Sequence, residues 1–162
     1  MAPVVMLDWF FHMPLQQGLA EGWLVRGDVE RARRHAAELV DRAGRPPERH
    51  FLAVGHDLAA RAALAAGDLA LATRETERAL AIVQTVHLPL AAWRTFETAA
   101  EILDGQAAAR YRAQSAAILR SLAESLGKGS ELGKTLLAAP RVRSILRDAR
   151  TAPPASRTSR SA

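Results

Sequence analysis

Apolar residues recur along this chain at spacings of three and four, with polar residues between them. Val29, Ala32, Ala36, Leu39, Val40 and Ala43 form one such stripe, and Leu69, Ala72, Ala79, Leu80, Val83 and Val86 form another. That period suits one face of an α-helix and fits strand alternation badly. It also predicts a first helix over 13–26, with Leu15, Leu19 and Trp23 on one side. A further helix begins near Pro47 and carries Phe51, Leu52, Leu58, Ala59, Ala62, Ala63 and Ala66. In a third pair, Leu90, Trp93, Phe96, Ala99, Ala100 and Leu103 precede Asp104-Gly105, and Ala113, Ala116, Leu119, Leu122 and Leu126 follow. Gly44-Arg45-Pro46-Pro47 and His87-Leu88-Pro89 separate the pairs, because proline opens a helix well and interrupts one already running.

Within the first two pairs the turn itself repeats. Leu24-Val25-Arg26-Gly27-Asp28-Val29-Glu30-Arg31-Ala32 returns as Leu64-Ala65-Ala66-Gly67-Asp68-Leu69-Ala70-Leu71-Ala72, with Gly27 and Gly67 40 positions apart. Glycine takes up the left-handed conformation that closes a helix, and the following aspartate can cap the next one. So short a connection makes the two helices antiparallel neighbours. In the third pair, setting Asp104 opposite Gly67 puts Ala109 opposite Ala72, a spacing of 37. The fold expected is all-α, with antiparallel helical hairpins stacked in a row. Residues 13–126 would hold three hairpins, and 127–150 a linker and short capping helices around Leu132, Leu136, Leu137, Val142, Ile145 and Leu146. Before them, Trp9, Phe10 and Phe11 mark residues 1–12 as an aromatic cap or an interface for self-association. From residue 151 onward no apolar period survives, so the end reads as a disordered basic tail.

Composition adjusts this picture in three ways. Alanine supplies much of the 49% hydrophobic content and aromatics only 5%, which suits closely packed helices. Cysteine is absent, which removes disulfides and thiolate metal sites. Six arginines against Asp148 alone in residues 141–162 equal the whole net charge of +5, so the body is balanced. A basic nucleic-acid-binding body is therefore not expected, and a solubilising tail is the simplest reading of the arginines. The apolar stretch from Val4 to Leu7 lacks a basic leader and a cleavage pattern. No apolar run approaches the roughly 20 residues of a membrane span. The reading is a soluble cytoplasmic protein with no membrane partner.

Catalytic chemistry is hard to find. Gly127-Lys128-Gly129-Ser130-Glu131-Leu132-Gly133-Lys134-Thr135 resembles a phosphate loop, but the glycine required five places before Gly133 is Lys128. The preceding chain is also helical, whereas that loop leaves a strand. His12, His35, His50, His56 and His87 lack metal-ligand spacing and read as surface or cap histidines. Glu30, Glu38, Glu75 and Glu77 read as solvated faces. No catalytic residue, metal ligand or cofactor site is assigned.

The repeated unit resembles the tetratricopeptide-type repeat. With Gly27-Asp28 in that family's inter-helix turn, Leu19-Ala20 falls at its large–small pair, Trp23 at its aromatic position and Ala32 at its helix contact. Trp93 matches its early tryptophan in the third unit. Leu136-Leu137-Ala138-Ala139-Pro140-Arg141-Val142 resembles the close of the C-terminal repeat region in large bacterial ATPase-linked regulators and nucleotide cyclases. The resemblance implies a short right-handed superhelix whose first helices line a concave surface. Carried onto this chain, the concave positions are Gln17, Glu21, Asp57, Arg61, Arg94, Thr98 and Glu101. It further implies a non-catalytic scaffold for a protein or peptide segment, the partner-binding end of a larger signalling protein. The alternative is a regulatory domain that senses a small molecule and controls an ATPase, transcription regulator or cyclase module.

Overall fold

The computed structural model describes residues 11–45, 47–127 and 129–151. Trp9, Phe10 and the tail from residue 152 lie outside them. Among the described residues the helices are α1 (Met13–Val25), α2 (Val29–Ala43), α3 (Arg49–Ala65), α4 (Leu69–Val83), α5 (Pro89–Ile102), α6 (Gly105–Ser125), α7 (Glu131–Ala138) and α8 (Pro140–Thr151). The architecture is all-α. α1 pairs with α2, α3 with α4 and α5 with α6, and each hairpin stacks on the one before. The three first helices lie in a row, α1 against α3 and α3 against α5, while α7 and α8 fold back onto α6.

The two matching turns are built alike. Gly27 has φ +75° and Gly67 φ +77°. The N–H of Asp28 donates to the Trp23 carbonyl at 3.0 Å, and that of Asp68 to the Ala63 carbonyl at 2.9 Å. These six-to-one bonds, beside those from Gly27 to Leu24 and Gly67 to Leu64, satisfy carbonyls that a helix end leaves open. Asp28 and Asp68 then accept from the N–H of Arg31 and Leu71 at 3.0 and 2.9 Å, which caps α2 and α4.

The third turn is built differently. Leu103 is extended, Asp104 makes no side-chain cap bond, and the left-handed residue is Gly105, the first of α6. Inverting Gly-Asp to Asp-Gly moves the permissive residue across the helix boundary. The helix contact accordingly falls on Ala108, buried as Ala32 and Ala72 are, and the expected Ala109 is only half-buried. The true spacing from Ala72 is 36.

Alanines with no exposed surface, among them Ala20, Ala36, Ala53, Ala63 and Ala99, let the helix axes approach closely around Leu39 and Leu58. A second cluster joins Ala116 and Leu119 of α6 to Val142 and Ile145 of α8, with Trp93 packed against it. The expected core residue Leu15 is instead 54% exposed, and Met13 and Ala20 form the buried side of α1. Among the described residues no hairpin precedes α1. Among the described residues no helix is long and apolar enough to cross a membrane.

Candidate functional site

Aligned by repeat, the concave positions form two rows along α1, α3 and α5. Gln17, Asp57 and Arg94 make the first, and Glu21, Arg61 and Thr98 lie one turn further on. The structure brings all six together and spends most of their polar groups on one another. Gln17 Nε2 donates to Glu21 Oε1 at 3.2 Å, and the Arg94 guanidinium donates to the same oxygen, tying the first hairpin to the third. Thr98 Oγ1 donates to Asp57 Oδ1 at 2.6 Å, and the Arg61 guanidinium stands 3.9 Å from Asp57 Oδ2.

Asp57 and Thr98 are 2% and 0% exposed, so they do not line an open groove. Glu101 is exposed on α5, and none of these bonds involves it. Burial raises the Asp57 carboxyl above its ordinary range, opposed by Arg61, by the Thr98 hydrogen bond, and by Arg141 and Arg94. Burial likewise draws the Arg61 guanidinium down, and the Asp57 carboxylate beside it opposes that. A charged groove was expected; Asp57 and Thr98 are buried, while Gln17, Glu21, Arg61 and Arg94 are half-buried and turn their polar groups largely on this network.

What remains open lies next to it. A trough of about 370 Å³ is lined by Gln17 from α1, His50 and Val54 from α3, and Leu90, Trp93 and Arg94 from α5. Leu122, Ser125 and Leu126 at the end of α6 and Leu136 of α7 complete its wall. Leu90 and Leu126, expected in the packed stripes, therefore face the trough, and Leu90 is 60% exposed. Arg94 lies with its guanidinium carbon 5.2 Å from the centre of the Trp93 ring, and Arg141 lies 6.0 Å away. His50 is half-buried; burial holds its imidazole below the ordinary range, Glu48 pulls it up, and Arg94 pushes it down. The trough thus joins an aliphatic floor to a rim with a guanidinium, an imidazole and an amide.

Sequence reasoning reached Gln17 and Arg94 here and missed the rest. Repeat register marks one row of positions along the first helices. It carries no signal for where α7 returns to wall the row off.

Two further expectations are corrected away from the trough. His56 and Glu75, read as surface residues, are buried, with Nδ1 of His56 2.7 Å from Glu75 Oε2. Arg78 donates to the other oxygen of Glu75 at 2.7 Å. Forty residues earlier, Gln16 and His35 meet at 2.7 Å in the matching places, so one polar pair joins the helices of each early hairpin. The segment resembling a phosphate loop also has a structural use. Ser130 caps α7 by accepting from the Gly133 N–H at 3.0 Å, and Gly133 packs against the backbone of Ala123 in α6. Among the described residues no three of His, Asp and Glu gather as a metal site needs. No family model, no curated protein and no solved structure matches this chain.

Proposed function

We propose that the chain is a non-catalytic scaffold of tetratricopeptide type that holds a short protein or peptide segment in the trough between α1, α3, α5 and α7. The observation carrying this reading is the trough's composition. Val54, Leu90, Leu122, Leu126 and Leu136 offer a place for an aliphatic side chain, with Arg94 and His50 at the same rim. A guanidinium has five N–H donors, so Arg94 can hold Glu21 and still donate to a ligand's carboxylate or backbone carbonyl. The segment expected is apolar with an adjoining acidic residue. In this reading the chain is the partner-binding end of a larger bacterial signalling protein and works in the cytoplasm. The polar residues nearest the trough serve to couple the hairpins, which supports binding over chemistry.

A second reading rests on the wall that α7 supplies. A volume of about 370 Å³ lies within the range of about 300–1,000 Å³ usual for small-molecule sites. A sensor domain controlling an ATPase, transcription regulator or cyclase module would use the same residues. Panning the immobilised chain against a random peptide display library decides between them. Enriched peptides should pair an aliphatic with an acidic residue, and Leu90→Asp should abolish their binding, because it sets a carboxylate in the floor. Failure to enrich any peptide that responds to Leu90→Asp would remove the scaffold reading.

A further inference from the structure

Several arginines of the hairpins are matched to carboxylates along the same helix. Arg31 pairs with Asp28, Arg33 with Glu30, Arg42 with Glu38 and Arg78 with Glu75. Lys134 of α7 pairs with Glu131 in the same way. α8 breaks the pattern. Arg143 and Arg147 are both exposed, one turn apart, and among the described residues no ion pair reaches either. Like charges at that spacing weaken a helix. Asp148, the one acid of α8, accepts from Ser144 Oγ at 3.3 Å. Residues 152–162 add Arg157 and Arg160 and no acid, so they cannot neutralise this end of the chain.

Hydrocarbon stands beside the two guanidiniums. Leu137 and Pro140 are exposed at the corner between α7 and α8, and Leu146 is half-buried. These five side chains line one depression. On the other side of α8, Val142 and Ile145 are buried against α6, which holds the helix in place. The described lining offers guanidinium donors and apolar surface, and no acceptor side chain. The ligand that complements it is anionic, rich in acceptors and apolar at once. An anionic phospholipid has that composition, with phosphate and ester oxygens next to acyl chains. A peptide backbone brings an N–H donor at nearly every residue, and no side chain here can accept it. A nucleic acid brings phosphates without hydrocarbon, and the described lining has no aromatic ring for its bases to stack on.

We propose that the α7–α8 corner docks the chain on the surface of an anionic lipid bilayer. Arg143 and Arg147 meet headgroup phosphates, and Leu137, Pro140 and Leu146 meet the outermost hydrocarbon. A guanidinium can hold a phosphate through two bonds at once. Apolar contact and charge attraction add at such a surface, and neither needs a spanning helix. Surface docking departs from the expectation of no membrane partner, which came from the lack of a spanning run.

Pelleting of the full chain with lipid vesicles tests this. At low ionic strength it should bind vesicles of phosphatidylglycerol and phosphatidylcholine in equal parts, and stay free of phosphatidylcholine alone. Salt at about 1 M, which screens charge beyond about 3 Å, should release it. An arginine near an anionic surface contributes about 1 kcal/mol, a factor of about five, so Arg143→Gln with Arg147→Gln should weaken binding roughly 30-fold. Losing two like charges from one face should leave the melting temperature equal or higher. Arg143→Lys with Arg147→Lys keeps the charge and should keep most of the binding. Leu137→Ser, at an exposed site, should weaken binding with its salt dependence unchanged. Should the glutamine pair not fold, Leu137→Ser decides alone, and unchanged binding overturns the proposal.

Binding that is equal on phosphatidylcholine, or absent from both vesicles, would also overturn it. So would a folded glutamine pair that pellets like the wild type, since other arginines would then carry the contact. Polyglutamate and a single-stranded oligonucleotide are the competing anions. If Arg143 and Arg147 bound either one and the vesicles stayed free, the corner would belong to that partner and the proposal would fall. Leu136 lines the trough and Leu137 this corner, on different faces of α7. Leu90→Asp, which disables the trough, should therefore pellet as the wild type does, so the two readings fail separately. A loss of pelleting there would seat the lipid in the trough and remove the corner from the account.

Discussion

At the scale of single residues, Gly67 and the buried Asp57 carry the clearest consequences. Gly67 has φ +77° with no atom near its missing Cβ, so space is not what forbids a side chain there. The backbone conformation is. Gly67→Val should destabilise by at least about 1 kcal/mol through that strain, read as a lower urea midpoint at unchanged slope. Asp57 is a different case, an ionisable group whose surroundings oppose its charge. The folded state holds its proton to higher pH than the unfolded chain does. Stability from this group is therefore complete below the unfolded value of about 4 and falls as pH rises through the higher folded value. Asp57→Asn keeps an oxygen to accept from Thr98 and cannot ionise. Its stability relative to the wild type should rise between pH 4 and pH 7, while the arginines nearby stay charged throughout. A difference between the two proteins that is flat with pH would show that Asp57 titrates normally.

Among elements, α7 and α8 decide more than their length suggests. α8 packs on the face of α6 where a further hairpin would stack, and α7 adds Leu136 to the trough's lining. Ile145 is buried between α8 and α6, so Ile145→Ala should lower stability by about 2–4 kcal/mol through lost burial and the cavity left behind. Hydrogen exchange should locate the loosening in α6, α7 and α8, with α1 to α4 protected as before. Uniform loss across all helices would mean that this cap is not a separable layer. The apolar period of Val142, Ile145 and Leu146 reads as helix that would cover the exposed face of the last hairpin; Val142 and Ile145 lie against Ala116 and Leu119 of α6.

For the molecule as a whole, the Glu21–Arg94 contact matters because it spans 73 residues and joins the first hairpin to the third across α3. Stacked hairpins otherwise interact mainly with their neighbours, and such arrays can lose cooperativity. Both side chains are about a third exposed, so solvent screens the pair and its direct worth is modest. A double-mutant cycle with Glu21→Ala and Arg94→Ala should return a coupling of about 0.5–1 kcal/mol. Removing both should also broaden the thermal transition as the outer hairpins uncouple. A coupling of zero would leave cooperativity to the alanine interfaces alone.

The helices, their pairing and the construction of two turns are legible along the chain. Those features depend on residues close along the chain: a 3.6-residue period, a glycine that tolerates positive φ, and an aspartate one place later. The tetratricopeptide resemblance set Gln17, Glu21, Asp57, Arg61, Arg94, Thr98 and Glu101 on one face, and the first six make polar contacts with one another in two groups. Tertiary structure decided what those rows became. Whether Asp57 lines a groove or is sealed beneath one depends on how closely α3 and α5 approach. Whether Leu90 and Leu126 are core or trough wall depends on where α7 returns. Burial belongs to pairs of elements, and a periodic pattern marks a face without saying what meets it.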